Sequence, residues 1–469
     1  MLSHIMNKFI CHVGVGFFHR SHQAYCLNQL KFIYPKDKYW TFKGVGLLDS
    51  DYPLFQILKK QQFQYHTIEK INDKKNTTLI KSISDLLCLP KQPLLIKQLN
   101  TPDLKAVTTT ITEKGYYLDN DGKLSMDHPL VIQDINNDCY VNTSPKTIYG
   151  LLYYILVNRY TNNLSGIPII SCDNMLENSA MLKRGLLDFI INYQNNKERN
   201  EIQTDEFLYW LENNLTFPNT MVDRITTNIH HTVKVNKKSS FSGAVLCEPY
   251  LKWVIEDNFI NKHNQILEFP NFHKLDEVKI TKNVSMHENI KILLLNGSHA
   301  LIAYIPSENT IVSDVTNCSQ CKTQLKKYMN SVLSLRFSKE DIDVYKIDSY
   351  TTEIVTRFSN DHIQDTVQRL RVDGGKKIQS IFKPLFQHVY ETVTVHNDTE
   401  NIEFSLLPIH YYFTYLDKLE SVKYDDIGYQ IQKKTTKDKF KHIFGYELGV
   451  WLYSVYVNIY NEPTNNYQK

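Results

Sequence analysis

The first part of the chain alternates between short apolar runs and longer segments with apolar residues at helical spacing. "FICHVGVG" (9–16) reads as a buried strand, and "SHQAYCLNQLKFI" (21–33) then places apolar residues three and four apart. "WTFKGVGLL" (40–48) is strand-like again, and "DYPLFQILKKQQ" (51–62) opens a further helix. "KAVTTTIT" (105–112) and "IPIISCD" (167–173) are β-branched runs of strand length. Strands separated by helices pair in parallel, with helices on both faces of the sheet. From about residue 285 the texture changes. "ENIKILLLNGSHALIAYI", "TQLKKYMNSVLSL", "DHIQDTVQRLRV" and "GYELGVWLYSVYVNIY" all carry helix-length apolar patterns. The pattern predicts an α/β chain. An N-terminal Rossmann-type doubly wound sheet occupies 1–285, and a mainly α-helical C-terminal domain follows over 286–469.

Length supports the division, since 469 residues exceed the ~250–300 at which single cores stop growing. The formal net charge of +3 is small and both signs are mixed, so the basic run "QKKTTKDKFKH" (432–442) reads as a solvated face rather than a nucleic-acid site. Of eight scattered cysteines only Cys318 and Cys321 lie close together. One CxxC without a second pair is a poor zinc pattern, and all eight are read as reduced thiols of an intracellular protein. "MLSHIMNKFI" lacks the apolar stretch of a signal peptide. "LLYYILV" (151–157) is core-sized, well short of the ~20 residues that span a bilayer. The expectation is a soluble cytoplasmic protein without membrane or nucleic-acid partners.

In "VGVGFFH", Gly14 and Gly16 stand at the first strand-to-helix turn of an alternating chain. Glycines there allow close backbone approach, and the following helix offers unpaired N–H groups to a dinucleotide's pyrophosphate. The usual third glycine is missing, because position 19 is His. Asp49 and Asp51 follow "KGVGLL", about thirty residues on. A carboxylate at the end of the second strand accepts from the adenosine ribose hydroxyls and repels a 2′-phosphate, which favours NAD over NADP. The other reading of Asp49 is a helix N-cap before "YPLFQIL". Gly14, Gly16, Phe17, Phe18 and Asp49 are the cofactor-binding candidates. His19 and His22 lie three apart, but no HExxH or carboxylate partner accompanies them, so no metal site is assigned.

"KILLLNGSH" (291–299) carries the second constellation. On a regular helix Lys291, His299 and Asn296 fall at roughly 0°, 80° and 140°, facing one cavity, while Leu293 and Leu294 point into the core. A lysine held against apolar surface loses solvation of its charged form, and its pKa falls towards neutrality, as a general base near pH 7 requires. Asn296 can donate to an oxygen gaining negative charge, and His299 can hold a hydroxyl. The same triplet without context also fits a snorkelling lysine with a structural Asn and His. "PIISCDNM" ends a strand with Asp173 and Asn174, where open α/β sheets bind ligands, and "FPNTMVDRIT" offers Asp223 and Arg224. Either segment also fits a salt-bridged loop.

With these blocks in order, the chain resembles the polyol-specific long-chain dehydrogenase/reductase family. They are "GVGFFHRSHQA", "GVGL", "SCDNMLEN", "FPNTMVDRIT", "EPYLKWVIEDNF", "KILLLNGSH", "RFSN" and "DGGKK", spread from about residue 10 to about 385. The resemblance implies that 1–285 binds the dinucleotide and that 286–469 carries the substrate and catalytic groups. It implies Lys291 as general acid/base, Asn174 and Asn296 polarising the reacting oxygen, and His299 orienting the substrate. Arg357 falls near the substrate hydroxyls, Asp223 lines the cleft, and Lys377 joins them as a substrate-side cation. Gly14 and Gly16 cradle the pyrophosphate of NAD, with NADP the lesser choice, and His19, Arg20 and His22 shape the mouth beside them. The family needs no zinc, and many members are monomers, so a monomer or weak homo-oligomer is expected. The chain departs from the family's common residues at Phe17 and Ser21, and at Asp361, Ile378 and Gln379, where proline is usual nearby; the last three bear on substrate specificity.

The implied reaction interconverts an open-chain, mannitol-like polyol and its ketose by hydride transfer. The alternative within the family is a sugar-acid reductase acting on fructuronate or tagaturonate, for which Arg357, Lys376, Lys377 or Arg20 would supply the extra cation. A non-catalytic dinucleotide-binding protein is the third reading, against which the intact Lys/Asn/His set counts.

Overall fold

A computed structural model describes residues 8–71, 74–119, 122–136, 144–195, 204–227, 243–392, 398–422 and 425–460. The first seven residues, read above for a signal peptide, and Cys139 lie outside the described residues. The chain divides into two compact units, Met1–His287 and Glu288–Lys469.

In the first unit the strands are β1 (Phe9–Val13), β2 (Thr41–Gly46), β3 (Tyr65–Ile71), β4 (Lys74–Ile80), β5 (Ile83–Cys88), β6 (Leu104–Thr109), β7 (Ile169–Ser171), β8 (Thr220–Asp223), β9 (Thr226–Thr227), β10 (Val245–Cys247), β11 (Lys252–Glu256) and β12 (Val278–Thr281). Five of them form a parallel sheet in the order β5-β2-β1-β6-β7, the Rossmann-type arrangement. The residues of β1 show why it is central. Phe9, Cys11 and Val13 share a core with Leu151, Leu152 and Ile155 of the helix Ile148–Thr161, whereas Ile10 shares one with Leu27 and Leu30 of the helix Gln23–Ile33. Alternate side chains thus bury on opposite faces, each under its own helix. "LLYYILV" lies inside Ile148–Thr161, which is apolar on every side because it is enclosed on every side. Strand order reverses between β1 and β6, so the carboxyl end of β1 lies at the switch point where open α/β sheets bind ligands.

Two further sheets are absent from the alternation described above: β4-β3-β10-β9 and β12-β11-β8. Their strands are polar or short, and apart from the antiparallel hairpin of β3 and β4 their pairings join segments well separated in the chain. Thr67 lies beside Val245, and Val222 beside Trp253. No local period announces such a strand.

The second unit is helical. Its longest helices among the described residues are Ser319–Arg336, Gly374–Thr392 and Thr399–Lys418. Leu325, Tyr328 and Val332 on the first, and Ile378, Ile381, Phe382 and Leu385 on the second, are buried at spacings of three and four. "DHIQDTVQRLRV" is not one helix: a 3-10 turn at Asp361–Ile363 is followed by left-handed Gln364 and the short helix Val367–Arg371. Thr366 caps that helix by accepting from Arg369 N–H at 3.2 Å, which starts it afresh. The basic run 432–442 is not wholly solvated either, since Lys439 is buried and paired with Asp417. All seven described cysteines are free thiols; Cys318 is exposed and Cys321 buried. No helix among the described residues is long and apolar enough to cross a membrane.

Candidate active site

The glycine turn follows β1. Gly14 has φ +91°, and a Cβ there would drive into the Thr110 carbonyl, so only glycine fits. Gly16 has nothing within 4 Å of a Cβ and opens onto free space. Behind the turn, Gly14 N–H donates to Val45 O at 3.1 Å and Thr110 Oγ1 donates to Gly14 O at 2.7 Å. His12 sits between Thr108 Oγ1 and Thr110 Oγ1, at 2.8 and 2.9 Å. Burial pushes the His12 imidazole down to about 3, so it braces the turn in its neutral form.

His19, Arg20 and His22 do not shape a mouth, because all three are buried. The helix Phe17–Ser21 and the residue after it lie against β1, where His19 meets His12, β3, where Arg20 meets Tyr65, and β11, where His22 meets Trp253. His19 stacks on His12 with ring centroids 3.4 Å apart, and burial, then His12 and Arg20, hold its pKa far down. Arg20 Nε donates to Gly16 O at 3.1 Å, and His22 Nε2 lies 3.2 Å from Lys252 O. These side chains are the floor of the turn. Phe17 is exposed above Arg20, and Phe18 stacks on His22.

At the end of β2, Asp49 opens a 3-10 turn rather than capping a helix, and its exposed carboxylate pairs with Lys91 at 2.7 Å. Asp51 takes the structural part, accepting from Leu48 N–H at 3.1 Å. Past β7, Asp173 is buried and spoken for: it accepts from Thr112 N–H at 2.7 Å, Tyr116 OH at 3.0 Å and Thr109 Oγ1 at 3.3 Å. Asn174, the next residue, is exposed. Asp223 ends β8 opposite Lys252, buried. Arg224 is the salt-bridged case, paired with Glu69 and donating from Nε to Glu248 O at 3.0 Å. A cavity of about 510 Å³ in the first unit, among Tyr160, Tyr209, Trp210 and His263, is lined by none of these residues.

In the second unit "KILLLNGSH" is not a regular helix. Lys291–Asn296 is a π-helical turn followed by the helix Gly297–Tyr304. Gly297 N–H passes over Leu293 O, its regular partner, and donates to Ile292 O and Leu294 O. The Leu293 carbonyl accepts instead from Tyr328 OH at 2.7 Å. A wider turn brings positions five apart, Lys291 and Asn296, nearer to one direction than the ~140° of a regular helix. Lys291 is only 7% exposed, and Leu293 and Leu294 are buried as expected. Asn296 and His299 are partly exposed.

His299 stacks on Phe358, with ring centroids 4.2 Å apart. Arg357, buried, precedes Phe358 on the helix Ile347–Phe358, so the structure brings these two sequence-distant blocks together. Lys377 is half-buried and donates to Leu370 O at 2.9 Å; burial, then Arg369, lowers its pKa. Space explains the glycines of "DGGKK": a Cβ at Gly374 would run into the Tyr304 hydroxyl and one at Gly375 into Ile427, while Asp425 accepts from Gly375 N–H at 3.0 Å.

Two residues escaped the sequence reading. Tyr328 gives no signal beyond an apolar helical position. Asp365 is held by Arg369 through two hydrogen bonds of 2.5 Å, and it lies close enough to feel His299. Burial raises the Asp365 pKa, but Arg369 and His299 together outweigh it and the net shift is downward. The Asp-x3-Arg spacing of "DTVQR" was the available signal.

The comparisons with known proteins match this layout. Residues 8–268 match the mannitol dehydrogenase Rossmann domain, and 283–442 match the mannitol dehydrogenase C-terminal domain. Mannitol dehydrogenase DSF1 of Saccharomyces cerevisiae is 32% identical over 388 residues, covering 80% of this chain and 72% of the relative. D-mannonate oxidoreductase of Escherichia coli is 30% identical over 392 residues, covering 81% and 75%. The structure of Pseudomonas fluorescens mannitol 2-dehydrogenase in a ternary complex with NAD and D-mannitol superposes with a TM-score of 0.77 at 25% identity, over 97% of this chain and 93% of that one. A parallel sheet opening on a glycine turn, a helical unit carrying the Lys/Asn/His turn, and domain models matching both place the chain in the mannitol dehydrogenase family of oxidoreductases.

Proposed function

We propose that the protein interconverts an open-chain, mannitol-like polyol and its ketose, with NAD as hydride carrier and Lys291 as general acid/base. The observation that carries this reading is a buried lysine joined to Asn296 by one wide turn, with His299 one turn further on. The glycine turn fits a dinucleotide: Gly14 is braced from behind, and Gly16 leaves open space at a helix start, where N–H groups suit a pyrophosphate. When bound, the nicotinamide supplies the hydride acceptor for oxidation and the donor for reduction.

In oxidation, neutral Lys291 removes the hydroxyl proton as hydride leaves the same carbon. Asn296 donates a side-chain N–H to the oxygen on which charge develops, and the resemblance assigns Asn174 the same task. His299 and Arg357 hold neighbouring hydroxyls, and Asp223 and Lys377 keep their substrate-side assignments. In reduction, protonated Lys291 returns the proton to the ketone oxygen. Gly14, Gly16, Phe17, Phe18 and Asp49 are the cofactor-binding set. The test is Lys291→Ala assayed with saturating cofactor: turnover should fall by about 10²-fold or more, and near-parental turnover would end the assignment.

A sugar-acid reductase is the second reading, favoured by the D-mannonate oxidoreductase relative and by the buried cation Arg357. Reduction of fructose and of fructuronate, measured side by side, separates the two.

A further inference from the structure

Tyr328, on the helix Ser319–Arg336, contributes no group to the reaction proposed above. We propose that it is a positioning residue for that reaction: its hydroxyl holds open the wide turn that sets the directions of Lys291 and Asn296. This rests on the reading of Lys291 as the proton-transferring group.

The first support is the hydrogen bonding. In a regular helix Gly297 N–H would donate to Leu293 O. Here the fully buried Tyr328 hydroxyl takes that carbonyl, and Gly297 N–H reaches Ile292 O, five residues back. A side chain inserted into the helical ladder is a known cause of such a bulge.

The second support is the residue at 297. Its φ of −64° and ψ of −38° are ordinary helical angles that any residue adopts. Glycine is disfavoured within helices, so conformation does not explain it. Space does: a Cβ at 297 would fall well inside contact distance of the Tyr328 hydroxyl. The "NGSH" glycine and the tyrosine are therefore two halves of one contact.

The third support is that the hydroxyl has a fixed place. The Tyr328 ring is buried and meets Phe382 edge-on, at 6.3 Å and 70°. Without the hydroxyl, Leu293 O becomes available to Gly297 N–H and the turn can close to regular geometry. Lys291 and Asn296 would then diverge.

Tyr328→Phe removes one oxygen and keeps the ring. The expected result is a kcat lowered about 10- to 100-fold in both directions, as misplaced catalytic groups produce. The NADH dissociation constant and the polyol KM should change less than about threefold, below the effect of losing a typical hydrogen bond. The pH limb of kcat should move by about half a unit or more, which loss of stability alone would not cause. Gly297→Ala presses on the same contact from the other side and should repeat the pattern. A folded Tyr328→Phe protein with unchanged kcat and pH limb overturns the proposal. Failure of both variants to fold, read by circular dichroism, makes the contact merely structural and overturns it too. Lys291→Ala is run alongside: if it keeps turnover, the reaction assignment fails, whereas its loss beside an unaffected Tyr328→Phe sinks the positioning role alone.

Discussion

The Asp49 carboxylate, past β2, meets the Lys91 ammonium, past β5, 2.7 Å away on the surface. The pair changes what Asp49 means for cofactor choice. A lone carboxylate repels a 2′-phosphate, but a carboxylate beside a lysine presents a cation at the same place. Asp49→Ser is expected to cut the NAD-over-NADP preference by about 10- to 100-fold, the worth of charge-assisted hydrogen bonds to a ribose. Lys91→Ala is expected to sharpen that preference. Comparing kcat/KM for the two cofactors checks both, and a preference unmoved by Asp49→Ser would remove Asp49 from the cofactor set.

The two glycines of the opening turn should fail differently. Gly14→Ala meets the Thr110 carbonyl at a φ that suits glycine, so it should destabilise the first unit by more than about 1 kcal/mol. Gly16→Ala meets nothing in the protein, so it should melt like the parent while weakening NADH binding. Thermal unfolding and NADH fluorescence titration separate the two effects. NADH binding unweakened by Gly16→Ala would mean that the space before Gly16 holds no ligand.

His12 predicts an acid sensitivity whose sign follows from burial. Its folded pKa of about 3 lies below the ordinary 6.5, so between these values the unfolded chain binds the extra proton. Stability is full above about pH 6.5 and declines as pH falls towards 3. His19, shifted the same way, adds to the slope. His12→Gln should flatten the fall of melting temperature between pH 6.5 and 4, and an unchanged slope would argue against a buried neutral His12.

Asp365 should matter both to His299 and to acid stability. Its pKa is depressed, so its contribution is present above the ordinary value of 3.8 and is lost as pH drops through the folded value. Because Arg369 is half exposed, Asp365→Asn should cost about 1 kcal/mol at pH 7. The gap in melting temperature from the parent should narrow below pH 4. If Asp365 also orients His299, the variant raises the polyol KM several-fold and leaves NADH binding alone. A KM within error of the parent would make Asp365 a structural partner of Arg369 only.

The alternation of β1, Gln23–Ile33, β2 and β6 was readable because each element carries its own period, and local steric preference and burial act over a few residues. The same holds for the glycine pair and for the ordered blocks that identify the family, since close backbone approach and proton transfer need particular residue types at short spacing. Other features are contacts between residues far apart in the chain. The pairing of β3 with β10, the stacking of His299 on Phe358, the burial of His19, Arg20 and His22, and the Asp49–Lys91 pair are of this kind. The wide turn at Lys291 is the clearest case. Its nine residues read as a plain helix until a hydroxyl 35 positions away takes one carbonyl, because a helix's hydrogen bonds are local only while nothing from elsewhere competes for them.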